Sequence, residues 1–373
     1  MPQSFPPDKF LNISSPLLDV RSPAEYTAGH ISGALSFPLF TDEERAQVGT
    51  CYKQQGRNQA VELGFAIAGP KFAQFIAQAS RLTPDRQVGL YCWRGGMRSS
   101  AVAWVLEMAG FQVSLLIGGY KAFRRWGQGL FRTSQNILML GGMTGTGKTE
   151  ILRALRELEE QVLDLEALAN HRGSSYGALG QPSQPSNEQF RNLIIAQWAG
   201  FNPAQPLWIE AESKRIGHCR IPDEIFQQME QAPVIEVKRA RSERLELLVQ
   251  DYGQFAVEDL VVATERIRKR LGGLKTQQAI DFLKQEKFSQ AFDLILDYYD
   301  KTYTYDLKRR SVPFHEFDGG GQSAFEIAKQ LHYSVQKISQ SNNNVWGGSS
   351  LESEGDDVNW ELINGAQTLV GNL

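Results

Sequence analysis

The stretch NILMLGGMTGTGKTE, residues 136–150, decides the fold of the second half of the chain. Its opening NILML reads as a buried strand, and Ile151, Leu155 and Leu158 beyond it recur on one face of a helix. Between them Gly142, Gly147, Lys148 and Thr149 fit the spacing G-x-x-x-x-G-K-[ST], with Gly145 inside the loop. A strand, a glycine turn and a helix in that order make a phosphate cradle. Backbone amides point at the phosphate oxygens, Lys148 compensates their charge, and Thr149 reaches a phosphate oxygen or a magnesium ion.

What the cradle holds is open at this level. An ATPase usually supplies an aspartate at the end of an apolar strand, whereas the strands here end in Glu210 and Glu236. The other reading is a diphosphate that departs during substitution at carbon, where stabilising the leaving charge is the main catalytic task. Asp164 and Glu166 close the strand-like QVLDLE, as substrate- or metal-facing groups or as ordinary strand ends.

Outward from the loop, QVLDLE, PLWIEAE, APVIEVKRA and VPFHEFDG read as further strands, with a long helical stretch at about 241–310. The N-terminal half repeats the alternation: SPLLDV, a helix at about 70–80, QVGLY, the helix SSAVAWVLEMAG and the strand FQVSLLIGG. Alternating strands and helices imply α/β architecture with parallel sheets. The expected domains are 1–130 and 131–340, with a polar, aperiodic and disordered tail at 341–373.

The chain has 373 residues, 42% hydrophobic and 22% charged, enough for two cores. Its net charge of −3 gives no global attraction to nucleic acid, so RNA binding would depend on local patches. Three separated cysteines, Cys51, Cys92 and Cys219, form neither a disulfide framework nor a paired zinc site. The histidines show no metal-ligand spacing, so no resident metal is expected. Neither a signal segment nor a long apolar run is present, which leaves the cytoplasm as the default and no membrane partner.

Cys92 stands directly after an apolar strand and directly before a helix, in Tyr91-Cys92-Trp93-Arg94-Gly95-Gly96-Met97-Arg98-Ser99. Backbone amides and a helix N-terminus then face the sulfur, and Arg94 and Arg98 favour the thiolate and an oxyanion substrate. This loop resembles that of rhodanese-type sulfurtransferases, and Asp19, Arg21, Glu25, Gly29 and His30 resemble the opening motif of that superfamily. Asp19 and Arg21 are the residues expected to support the loop. The five residues between Cys92 and Arg98 match the phosphatases of this fold, which suits a tetrahedral phosphate-like group and keeps a phosphatase as a rival.

The two halves together resemble the tRNA 2-selenouridine synthase family, a rhodanese-like domain followed by a P-loop NTPase-like α/β domain. ERAQVGTCYKQQG, CWRGGMRS, GGYKAFR, GGMTGTGKT, LDLEALANHRGSSYG, WIEAESKRIG and YYDKTYTYDLKRR carry the likeness, over about residues 15–335. The resemblance implies that wobble 2-thiouridine in tRNA is first S-geranylated from geranyl diphosphate. Selenium from selenophosphate then replaces the geranylthiol, leaving 2-selenouridine. No tightly bound cofactor is implied. Cys92 matches the essential cysteine, assigned to selenium delivery as a selanyl-sulfide carrier, and Lys148 and Thr149 are assigned to geranyl diphosphate. An ATP-dependent tRNA sulfurtransferase and an inert RNA-binding scaffold are the rival readings.

Several further residues have two readings each. Cys51 either faces the Cys92 pocket or fills a core position; His171, Arg172, Ser174 and Ser175 suit a phosphate or an RNA backbone. Glu210, Glu212 and Arg215 form a polar wall by the cradle or a charged strand end. Lys238-Arg239-Arg241-Arg244, Arg266-Arg268-Lys269-Arg270 and Lys308-Arg309-Arg310 either meet tRNA phosphates or are solvated helix faces. Tyr176, Phe190 and Trp198 are candidates to hold the geranyl chain because they neighbour these motifs.

Overall fold

A computed structural model describes residues 2–309 and 312–344. The chain forms two compact units, each an α/β sheet covered by helices.

The first unit comprises residues up to Arg132 together with Ser186–Ala199. Its strands are β1 (Gln3–Phe5), β2 (Leu17–Asp19), β3 (Leu35–Ser36), β4 (Gln87–Tyr91) and β5 (Gln112–Leu116), all parallel in the order β1-β5-β4-β2-β3. Parallel strands buried on both faces read as apolar runs rather than alternations, as Val88, Leu90 and Tyr91 of β4 do. The helices Phe72–Leu82 and Met97–Met108 pack Phe75, Val102 and Leu106 onto this sheet.

The segment Ser186–Ala199 corrects the boundary read from sequence, because a helix inside the 131–340 span folds with the first unit. Ser186 caps it by accepting a hydrogen bond from the Gln189 amide. Its face Phe190, Ile194, Ile195 and Trp198 is buried, and Asn192 donates to the Tyr120 hydroxyl at 2.6 Å. Gly127 lets the backbones approach: a Cβ there would sit 2.2 Å from Ile195 Cδ1.

The second unit carries β6 (Asn136–Gly141), β7 (Gln161–Leu163), β8 (Pro206–Glu210), a hairpin of β9 (Arg215–Ile216) and β10 (Cys219–Arg220), β11 (Val234–Lys238) and β12 (Phe314–Asp318). The main sheet is parallel in the order β12-β11-β6-β8-β7, so the cradle leaves the central strand between β8 and β11. The helical stretch beyond 241 builds a core of its own from Leu248, Leu260, Leu283, Phe292 and Leu296. The helix Ala324–Asn344 runs past the 340 boundary expected for a disordered tail, and residues 345–373 lie outside the described part.

Candidate functional site

In the first unit, Cys92 directly follows β4 and the helix Met97–Met108 begins five residues later. The sulfur is buried and accepts from the Gly96 amide at 3.3 Å and from the Ser99 hydroxyl at 3.3 Å. Burial pushes the thiol up. Hydrogen bonds from the Ser99 side chain and backbone and from Gly96, together with the Arg98 charge, outweigh that and hold it below its ordinary range. The loop is fastened by Tyr120 and Lys121, whose amides donate to the Cys92 and Trp93 carbonyls. Only glycine fits at Gly119: φ is +60°, and a Cβ would lie 2.3 Å from the Cys92 carbonyl oxygen.

Arg98 is oriented by Glu25, Nη1 to Oε2 at 2.7 Å, and Arg94 is exposed. Asp19 and Arg21, the residues expected to support the loop, meet each other, and the Arg21 guanidinium lies 6.0 Å from the Trp93 ring centre. They form a fully buried pair at 2.6 Å, and the Arg21 guanidinium lies 3.9 Å from the Tyr120 ring centre. Cys51 takes the core alternative, buried on its own helix and donating weakly to Gln55.

Beside this loop the first unit has an apolar groove of about 360 Å³ between the helices Arg57–Ala68 and Met97–Met108. Met97, Ala101 and Trp104 line it from the same helix whose opposite face fills the core. Three of its large apolar side chains stand in water: Phe65, Met97 and Trp104 are 53%, 51% and 59% exposed. An apolar patch of this kind marks a binding surface.

In the second unit, the phosphate loop opens onto a cavity of about 490 Å³. Lys148 is half-buried, its Nζ donating to the Gly142 carbonyl at 2.7 Å and lying 3.5 Å from Glu210 Oε1. Burial lowers the affinity of Lys148 for its proton, but the Glu210 charge leads the neighbours that reverse this, so the ammonium is retained. The carboxylates of Glu166, Glu210 and Glu212 bring ligand atoms within 4.8 Å of one another. Burial, partly offset by Lys148 and reinforced by Glu212, pushes Glu210 up to about 7, and burial with Glu210 and Glu212 pushes Glu166 well up. Glu210 Oε2 is buried with no hydrogen-bond partner among the described residues. Gly173 presses on this group, since a Cβ there would lie 2.5 Å from Glu166 Oε1 and its φ is +65°. Tyr252, Tyr298, Tyr299 and Tyr303 line the same cavity, and the Tyr303 hydroxyl accepts a hydrogen bond from the Gly142 amide.

Residues 135–334 match the family model described as the tRNA 2-selenouridine synthase AAA domain, and residues 8–125 match the rhodanese-like domain. The chain belongs to the tRNA 2-selenouridine synthase family. It is 36% identical to the tRNA 2-selenouridine synthase of Hahella chejuensis over 347 residues, 82% of this chain and 89% of that protein. The same-named protein of Pseudomonas syringae pv. syringae is 35% identical over 351 residues, with coverage of 83% and 93%. Among solved structures, the N-terminal domain of a putative ATP/GTP binding protein from Clostridium difficile 630 is 36% identical, with a TM-score of 0.32, covering 33% of this chain and 98% of that one.

In this synthase-family chain the cavity gathers Gly145, Gly147, Lys148, Thr149, Glu166, Arg172, Ser174, Glu210 and Glu212. Gly142 shapes its rim through Lys148 and Tyr303. Asp164 is committed elsewhere: it caps the helix Leu165–Ala169 by accepting from the Ala167 amide at 2.9 Å. The His171 ring lies against Gly177 and is not among the lining residues. Glu236 pairs with Lys238 at 2.5 Å.

The three arginines of the first basic cluster are engaged within the protein, while Lys238 and Arg241 stay more than a third exposed. Arg239 and Arg244 donate to the carbonyls of Thr146 and Thr144 and so buttress the phosphate loop. Arg241 is held by Asp293, Asp297 and Asp300. In the second cluster, Arg268 pairs with Glu265 while Arg270 lines the cavity beside Tyr298. Lys308-Arg309-Arg310 lies outside the residues whose side chains are described.

The geranyl-chain candidates are corrected. Phe190 and Trp198 fill the first unit's core, and the Tyr176 hydroxyl is bonded to Thr264 at 2.5 Å inside the helical core. The tyrosine wall had a signal in YYDKTYTYDLKRR, but no periodicity says which of its aromatics face a cavity.

Among the described residues, no helix is long and apolar enough to cross a membrane.

Proposed function

We propose that this chain is a cytoplasmic tRNA-modifying transferase that exchanges the wobble 2-thiouridine sulfur for selenium through an S-geranyl intermediate. The observation that carries the reading is the second unit's cavity, whose lining joins a phosphate loop and the half-buried Lys148 to four tyrosines. A nucleotide triphosphate needs the loop but not an aromatic wall. An allylic diphosphate uses both, because the charge on its departing phosphate meets loop amides and Lys148 while positive charge developing on the allyl carbon meets ring faces.

In the first step the thiocarbonyl sulfur attacks C1 of geranyl diphosphate, the carbon–oxygen bond breaks and pyrophosphate leaves into the loop. Glu166, Glu210 and Glu212 fit a divalent cation, because two are buried, they crowd one another, and Glu210 Oε2 has no protein donor. Magnesium held there would supply neutralisation of diphosphate charge. In the second step selenophosphate sits over the Cys92 loop, and the apolar groove along Met97, Ala101 and Trp104 suits the geranyl group of the intermediate.

The test is mass spectrometry of wobble nucleosides after incubating the protein with 2-thiouridine tRNA, geranyl diphosphate and selenophosphate. Lys148→Ala is expected to abolish S-geranyl product, whereas Cys92→Ala accumulates it and makes no selenouridine. Absence of both products from the unaltered protein overturns the reading, and tRNA-stimulated ATP hydrolysis would favour the sulfurtransferase.

A further inference from the structure

We infer that Cys92 accepts the phosphoryl group of the selenium donor, forming a transient S-phosphocysteine, rather than carrying selenium itself. The inference rests on selenophosphate being that donor.

Electron bookkeeping raises the question. In selenophosphate the selenium is at the selenide level and the phosphorus is fully oxidised. A sulfur–selenium bond at Cys92 would require selenium to leave its bonding pair on phosphorus, or an added oxidant. The exchange at C2 needs neither. If the Cys92 thiolate attacks phosphorus, the phosphorus–selenium pair departs with selenium as selenide, which takes a proton from solvent. Hydrogen selenide then adds at C2, the carbon–sulfur bond breaks, geranylthiolate leaves and the C2=Se bond forms. Water cleaves the sulfur–phosphorus bond, giving phosphate and restoring the thiolate. All atoms are accounted for, and nothing is oxidised or reduced.

The geometry of the loop suits attack at phosphorus. The sulfur lies at the N-terminus of the 12-residue helix Met97–Met108, with the Gly96 amide and the Ser99 hydroxyl each at 3.3 Å. Arg98 follows Cys92 after five residues and is oriented by Glu25 at 2.7 Å, placing one cation where tetrahedral oxyanions need charge. A general acid is not required, because hydrogen selenide is a far stronger acid than water or an alcohol. The local carboxylates agree: Asp19 is fully buried against Arg21, and Glu25 is ion-paired to Arg98.

Ser99 gives the test its discrimination. Its hydroxyl stabilises sulfur as an anion, which matters most when sulfur is the leaving group, during hydrolysis of the phosphocysteine. Ser99→Ala should therefore slow breakdown more than formation and raise the steady-state adduct roughly tenfold or more.

The experiment incubates full-length protein and its Ser99→Ala variant with selenophosphate and S-geranyl-2-thiouridine tRNA, quenches in acid, and maps the Cys92 peptide by mass spectrometry. Cys92→Ser, with its melting profile compared with that of the unaltered protein as the check of its fold, is the control. A phosphoryl mass on Cys92, increased in Ser99→Ala and absent from Cys92→Ser, is expected. Selenium rather than phosphorus on Cys92, or selenouridine formed with no adduct in either protein, overturns the inference while leaving the selenation reading intact. Failure of the unaltered protein to make selenouridine from these substrates overturns that reading and the inference with it.

Discussion

The Ser99 hydroxyl lies 3.3 Å from the Cys92 sulfur, in the first turn of the helix that the cysteine loop introduces. Hydrogen bonding to the charged form favours it, and among the neighbours of the sulfur this hydroxyl does most to offset burial and lower the thiol pKa. Losing one such bond to a buried anion costs about 1–2 kcal/mol. Ser99→Ala should therefore move the midpoint of the pH profile for iodoacetamide modification of Cys92 upward, with modification near pH 7 slowed roughly tenfold. An unchanged profile would show that Ser99 does not set the thiolate.

A second prediction concerns Glu210, pushed up to about 7 against an ordinary 4.5. The sign follows from which state releases its proton first. Between those values the unfolded chain ionises Glu210 while the folded one keeps the proton, so stability falls as pH rises from about 4.5 to 7 and the penalty then stays constant. Glu210→Gln should flatten this part of the melting-temperature profile. A divalent cation bound by ionised Glu166, Glu210 and Glu212 would reverse the penalty, so magnesium should raise the melting temperature more at pH 8 than at pH 5.5. Equal shifts at both pH values, or none, would remove the cation from this cluster.

The two loops and their strands were legible because local spacing encodes them: a glycine cradle needs its residues consecutive, and so does a cysteine between strand and helix. What escaped depends on long-range packing. Asp164 looks like a strand-end carboxylate, but the strand stops at Leu163, which turns Asp164 into a helix cap. Arg239 and Arg244 look like RNA-facing cations, yet loop carbonyls far away in the chain receive them. The helix Asn187–Trp198 sits in the sequence of one unit and packs with the other, held by Asn192 on Tyr120 and Ile195 on Gly127. No local pattern distinguishes that helix from one that stays with its sequence neighbours.

The groove beside Cys92 gives the last prediction. Met97, Ala101 and Trp104 recur at helical spacing on the outer face of Met97–Met108, while Val102, Ala103 and Leu106 fill the core. From Met97 to Trp104 the helix rises about 10 Å, a length that suits an extended chain of two isoprene units. If the groove receives that chain, the protein should bind an S-geranyl-2-thiouridine anticodon stem-loop more tightly than its 2-thiouridine counterpart. Ala101→Phe, which fills the groove from a half-exposed wall, and Trp104→Ser, which removes one side of it, should each erase the difference. Burial of several methylene groups is worth about 0.8 kcal/mol each, so even partial insertion predicts a preference of at least roughly tenfold in the unaltered protein. Affinity for the 2-thiouridine stem-loop should be unchanged in both variants, which separates loss of the groove from loss of the fold. Fluorescence titration of the two stem-loops measures this directly, and a geranyl preference that survives both substitutions would place the chain elsewhere.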